Sequence, residues 1–223
     1  MSTYDLQRVA AKITPARLSS YLVATSGDLE AAIELYDWNI AAGAALYEDL
    51  ARFEIVFRNA LDEQLVRYAS QQGWQQPWYL QSGLFPGERT KRARTDIEQA
   101  RERATQRGQE PEVHGKVVAE LNFGFWRFLC HKTYLTSMWV PALSSAFPRH
   151  PSSSNPFKVR SDVAWLVQRL HFLRNRIAHH EPVHQRSLTE DHDGLLQLTR
   201  WICEHCHEWL SSSSRTPTII AAR

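Results

Sequence analysis

Leu170-His171-Phe172-Leu173-Arg174-Asn175-Arg176-Ile177-Ala178-His179-His180-Glu181-Pro182-Val183 carries two superposed periodicities. With Val163 and Leu166 upstream, the apolar residues Leu170, Leu173 and Ile177 recur at steps of three and four. They form one stripe of a helix that Pro182 is expected to stop. Each helical residue advances about 100°, so His171, Asn175 and His179 at i, i+4 and i+8 form a second line, away from the stripe. Trp165 and Phe172 lie near that line, and aromatic side chains are costly to leave in water. The polar face is therefore expected to meet a second body.

Working outward, residues 15–26 read as a short opening helix, with Pro15 in its first turn and Gly27 after its end. Asp28 is positioned to cap a long helix over 29–69, where Leu46, Leu50, Phe53, Phe57, Leu61 and Leu65 keep helical spacing and Gly43 marks a break or a close crossing. Residues 71–86, rich in Trp, Pro and Gly, read as an ordered connection. Its Trp74, Trp78 and Phe85 either lid the core or stack on bases, and the core reading is preferred. The basic segment 87–107 is helical by composition, and a further helix is expected over 112–131. Within it, Gly124 allows close helix approach despite costing about 1 kcal/mol against alanine.

Residues 148–156 form a loop before the motif helix, and 194–210 a last amphipathic helix with Leu195, Leu198, Ile202 and Trp209 inward. The serine-rich segment 211–223 is expected to be a disordered tail. No strand-like alternation, glycine-rich phosphate loop or catalytic carboxylate pair is present, so the fold class is all-α.

At 223 residues and 43% hydrophobic composition, the chain is long enough for one domain with its own core, residues 1–27 forming an N-terminal extension. No run approaches a membrane span and the N-terminus lacks a signal-peptide core, so a soluble, cytoplasmic protein is expected. Three cysteines make no disulfide framework. The net charge is only +2, but unevenly placed. Residues 1–70 hold 6 Lys/Arg against 10 Asp/Glu, whereas 158–186 hold 6 against 2 with four histidines, and 87–107 hold 7 against 4. A polyanion would thus meet two basic surfaces, unless 87–107 is merely a solvated helix.

Taken alone, Arg174 and His179 are the residues of a helix end that pairs with neighbours such as Glu54 and caps its last carbonyls. Two further blocks accompany them. Tyr36-Asp37-Trp38-Asn39, followed by Ala45-Leu46-Tyr47 and by Phe53-Glu54-Ile55-Val56-Phe57-Arg58-Asn59-Ala60, stands upstream, and Leu121-Asn122-Phe123-Gly124-Phe125-Trp126 stands between. The Arg174-Asn175-x-x-x-His179 pattern resembles the signature of HEPN ribonucleases. The three blocks in order, spanning about 28–184, resemble the Abi-like, abortive-infection branch of that superfamily.

The resemblance implies a HEPN-like helical bundle with additional helices and a metal-independent endoribonuclease of a bacterial anti-phage or toxin system. It implies no cofactor and no metal. RNA supplies its own nucleophile, the 2′-hydroxyl, so the enzyme must move protons and stabilise a phosphorane. His179 would be the general acid/base, Arg174 the phosphate clamp, Asn175 a phosphate ligand or a support for His179, and His180 a spare or structural partner. By the same resemblance Glu54, Arg58, Asn59, Arg176 and His171 support the site or contact RNA. Arg174 and His179 stand roughly 140° apart on an ideal helix, which a curled Arg174 or a composite site in a homodimer would resolve. The expected partners are RNA, either a target or an associated non-coding RNA, a second copy of the chain, and an antitoxin or inhibitor. The alternative is a catalytically inactive RNA-binding or partner-binding module.

Cys203-Glu204-His205-Cys206-His207, with His192 before it, invites a zinc reading. One helical face offers only two of the four ligands zinc requires, so buried thiols with exposed histidines are expected instead.

Overall fold

The computed structural model describes residues 4–223, and among these there are helices and turns but no strand. The chain is all-α. A first pair, α1 (Leu6–Ile13) and α2 (Pro15–Ala24), precedes α3 (Leu29–Gln71), a helix of 43 residues and hence about 65 Å long. Asp28 caps α3 by accepting the Ala31 N–H. Leu46, Phe53, Phe57, Leu61 and Leu65 are each 0% exposed, which makes α3 the spine of the core. Gly43 does not break it. A Cβ there would meet Ile177 at 3.7 Å, so the glycine marks the crossing with the motif helix.

Trp78 is buried in a short 3₁₀ turn of the 71–86 connection and Phe85 directly after a second one, while Trp74 is half-buried against Tyr68. The basic helix α4 (Lys91–Ala104) follows. The single helix expected over 112–131 is two, α5 (His114–Glu120) and α6 (Phe123–Leu129). Asn122 is extended and its side chain accepts the Phe125 N–H, so a capping residue restarts the helix. Residues 132–147, which periodicity does not resolve, form 3₁₀ and π turns that bury Tyr134, Met138, Trp139 and Phe147.

The motif helix α7 (Pro156–Ala178) buries Val159, Val163, Leu166, Leu170 and Leu173, as its stripe requires. Truncating one such leucine to alanine typically costs about 2–5 kcal/mol. The helix expected over 194–210 starts earlier and divides into α8 (Leu188–Ile202) and α9 (Glu204–Ser213), with Cys203 extended between them. That break turns Trp209 outward, 49% exposed, and makes Leu210 the buried residue.

Residues 211–223 are not a disordered tail. They complete α9 and form α10 (Thr216–Ala221). Ser214 and Thr216 donate their hydroxyls to the fully buried Asp49, Arg215 pairs with Glu48 at 2.7 Å, and Trp38 Nε1 donates to the Ile219 carbonyl. Serine richness suggested solvation, but two of these hydroxyl residues satisfy a buried carboxylate. Likewise α1 and α2 pack on α3 as a small second core of Leu18, Tyr21, Ala32 and Ile33. No helix of the described residues is long and apolar enough to cross a membrane.

Candidate functional site

The site is built where α3, α6 and α7 meet. Glu54 and Arg58 project from α3, and Phe123 of α6 wedges against Phe53 and Phe57 at ring separations of 6.2 and 6.3 Å. The same Phe123 lies 5.9 Å from the His171 ring on α7. Gly124 permits this approach, since a Cβ there would stand 2.9 Å from Asn122 Oδ1 and 3.6 Å from His171 Nε2.

The Phe123 backbone N–H, one of the donors a helix start leaves unmet, favours the ionised form of Glu54. Burial raises its carboxyl above the usual range, and the nearby Arg174 and Arg58 guanidiniums oppose that rise. Glu54 and Arg58 do not close the i, i+4 ion pair that their spacing suggests. Arg58 donates instead to the Ala119 carbonyl at 3.4 Å, and its Nε is buried without a hydrogen-bond partner. Asn59 is exposed and lies about 140° round the helix from Glu54, so this element brings two residues to the site, not three.

His171 is held neutral, its pKa lowered to about 4 by burial and then by Arg127, Arg174 and Arg92. Three guanidiniums thus converge on one imidazole. Arg127, on α6, donates to Gln168 Oε1 at 2.6 Å while its Nε is buried and unpartnered. Arg92 comes from α4, so the charge of one residue of the second basic segment is felt at the motif helix. Sequence reasoning missed both. Arg127 follows directly on the Leu121-to-Trp126 block, and Arg92 was one cation among seven in a segment with no marked face.

The line of His171 and Asn175 exists, but it runs differently from expectation. Asn175 Nδ2 lies 3.5 Å from His171 Nδ1, at the limit of a hydrogen bond, and does not engage the His179 side chain. Its backbone carbonyl accepts the His179 N–H at 2.9 Å. His179 is the C-cap of α7 and its imidazole is exposed.

His180 ends the helix. It adopts a left-handed φ of 55°, its N–H donates to Ile177 O, and the Glu181 N–H donates to Arg176 O at 2.7 Å. This is a Schellman turn with histidine in the place glycine usually takes, so the helix stops two residues before Pro182 acts. Arg17 of α2 donates to the His180 carbonyl at 2.7 Å. Arg176 turns away from the cationic cluster and donates to the Pro182 carbonyl at 3.2 and 2.7 Å, which makes it a brace for the turn. On the other flank of this turn a groove of about 750 Å³ opens, lined by Tyr36, Ile40, Tyr47, Ile177 and His180.

The C-terminal Cys/His residues do not converge. His192 is buried against Ser214 Oγ at 3.1 Å, and His207 meets Arg200 at 2.7 Å. Among the described residues no three His, Cys, Asp or Glu side chains come together to hold a metal ion. Cys203 and Cys206 are free and half-buried, where buried thiols were expected.

Compared with family models, with curated proteins and with solved structures, the chain matches none.

Proposed function

We propose that the chain is a metal-independent endoribonuclease that binds RNA phosphates at the α3/α6/α7 junction and cleaves through attack of the RNA's own 2′-hydroxyl. The observation that supports this most is the cationic cluster. Arg58 and Arg174 face the half-buried Glu54 carboxylate, Arg127 and Arg174 face His171, and Arg58 and Arg127 each carry an unpartnered, solvent-excluded Nε. Burying part of a guanidinium without a partner is expensive, and a phosphate would meet the remaining nitrogens of these half-buried arginines. Arg174 would clamp the phosphate, with Arg127 and Arg58 beside it. His179, exposed at the helix end, would take the 2′-hydroxyl proton as the new O–P bond forms. An imidazole would then return a proton to the departing 5′-oxygen, leaving a 2′,3′-cyclic phosphate.

The aromatic face favours a composite site between two copies of the chain. Phe157, Trp165 and Phe172 are 60%, 63% and 56% exposed on α7, apolar anchors of the kind a two-fold interface needs. Light scattering at tens of micromolar is expected to give the mass of a dimer. The setting implied by the sequence resemblance, a bacterial abortive-infection or toxin system in the cytoplasm held in check by an antitoxin or inhibitor, belongs to this proposal.

A second reading, RNA or partner binding without catalysis, is favoured by one observation: no side chain among the described residues orients the His179 ring. Incubation with single-stranded RNA in EDTA separates the two. Arg174→Ala is expected to weaken binding and cleavage together. His179→Ala leaves binding nearly intact and lowers cleavage by roughly 10²- to 10⁴-fold, and His180→Ala has a milder effect. Intact RNA with wild-type protein, or cleavage unchanged by His179→Ala, removes the nuclease reading.

A further inference from the structure

Far from this site, the break between α8 and α9 places a pair of thiols in a specific geometry. Cys203 is extended at φ −156°, ψ 125° and occupies the N-cap of α9, where its carbonyl accepts the His207 N–H at 3.1 Å. Cys206 is then the third residue of the first turn. Helix rise and radius put Cα atoms three residues apart at about 5 Å, inside the roughly 4.4–6.8 Å that a disulfide spans. The two are free and half-buried.

The pair is chemically unequal. The Cys203 thiol sits at the start of α9, where the backbone N–H groups of Cys206 and His205, donors that a helix N-terminus leaves unmet, and the Arg149 guanidinium favour its ionised form. These hold its thiol below the ordinary range, whereas burial raises that of Cys206. Cys130 is the contrast: fully enclosed, with its thiol pushed up to about 12. Around the pair stand Arg149 and Arg200, both ion-paired to Glu204 at 3.2 and 3.4 Å, the His207 ring against Arg200, and His205 beside Glu208. Arg149 and Arg200 share the Glu204 carboxylate, and Arg149 is the cation that acts on the Cys203 thiol.

We propose that Cys203 and Cys206 are a redox-active dithiol that exchanges with anionic low-molecular-weight disulfides. The Cys203 thiolate attacks one sulfur of the disulfide RSSR. A Cys203–SR bond forms, the S–S bond breaks, and RS⁻ leaves with the electron pair and takes up a proton. Cys206 then loses its proton and attacks Cys203 Sγ, expelling the second RS⁻. The protein is oxidised by two electrons to the Cys203–Cys206 disulfide, and RSSR is reduced to two RSH. The cationic flank favours a carboxylate-bearing disulfide. The inference is independent of the nuclease reading.

The test uses the reduced full-length chain with oxidised glutathione, acid quench, alkylation and peptide mass mapping. Wild type is expected to lose two hydrogens and yield a Cys203–Cys206 cross-linked peptide. Cys206→Ser traps glutathione on Cys203, and Cys203→Ser reacts more slowly by on the order of tenfold. Neutral hydroxyethyl disulfide is expected to react several-fold more slowly than glutathione disulfide, the difference shrinking at high salt. No intramolecular disulfide at any glutathione ratio overturns the proposal. So does adduct shared equally between the two cysteines in the single variants. Equal rates with the neutral reagent overturn the assignment to anionic disulfides.

Discussion

Asn39 Oδ1 accepts the backbone N–H groups of Val183 and His184 at 2.7 and 3.0 Å, so a single amide on α3 holds the chain just beyond the motif helix. Both bonds are buried, and Asn39 therefore accounts for two donors that would otherwise be unmet. Asn39→Ala is expected to cost about 2–4 kcal/mol in urea unfolding, from two orphaned donors. Asn39→Asp, which keeps an acceptor, should cost less. Equal losses would mean that packing rather than hydrogen bonding fixes the turn.

Asp49 plays the matching part for the C-terminal segment. It is 0% exposed, accepts from Ser214, Thr216 and Arg52, and lies 3.7 Å from His192. Asp49→Ala leaves those donors without their acceptor, and breaking a buried charged network of this kind costs about 3–5 kcal/mol. Limited proteolysis should then cut first within 211–223. Resistance equal to wild type would show that Trp38 and Ile219 suffice to hold α10.

The sequence showed the elements whose signal is local and periodic. The stripe of α7, the length of α3 and its Asp28 cap follow from spacing, and Gly43 was open to the crossing that Ile177 makes of it. What stayed hidden depends on partners distant in sequence. Ser214 and Thr216 look like a solvated tail until Asp49, 165 and 167 residues away, is placed against them. Asn122 and Cys203 each restart a helix inside an unbroken apolar pattern, because an extended residue interrupts the backbone without altering the composition. At the site, Arg174 and Glu54 were legible from their blocks. The contributions of Arg127 and Arg92 were not, since each is an ordinary helical arginine until folding turns it toward His171.

His171 gives the fold a pH dependence of definite sign. The folded chain keeps it neutral down to about pH 4, while the unfolded imidazole takes up a proton near its ordinary value of about 6.5. Between those values the unfolded state binds more protons, so stability falls as pH drops from 6.5 to about 4 and levels off below. The groups facing it are Arg92 from α4, Arg127 from α6 and Arg174 from its own helix, with Glu54 of α3 beside Arg174. His184 and His192, also depressed by burial, act in the same direction, and Glu54, raised, acts in the opposite one. Comparing wild type with His171→Gln isolates the one imidazole. The urea midpoint should decline more steeply for wild type across this window, and parallel profiles would show that His171 titrates normally.

If the arginine cluster meets RNA phosphates, it must show in the salt dependence of binding. Arg127 has one guanidinium nitrogen on Gln168 and its Nε unpartnered, so its charge is positioned but not neutralised. Arg67, paired with Glu63 at 2.8 Å on an exposed face of α3, is the control, already neutralised and outside the cluster. Arg127→Gln is expected to weaken binding of a single-stranded oligonucleotide on the order of tenfold, the worth of one charge-assisted hydrogen bond. It should also reduce the slope of log affinity against log salt by about 0.7, the counterion release of one phosphate contact on a single strand. Arg67→Ala should change neither. Weakening with an unchanged slope would mean that Arg127 acts by holding α6 against α7 through Gln168. The same small loss from Arg67→Ala would mean that the oligonucleotide senses only net charge and has no site at the α3/α6/α7 junction.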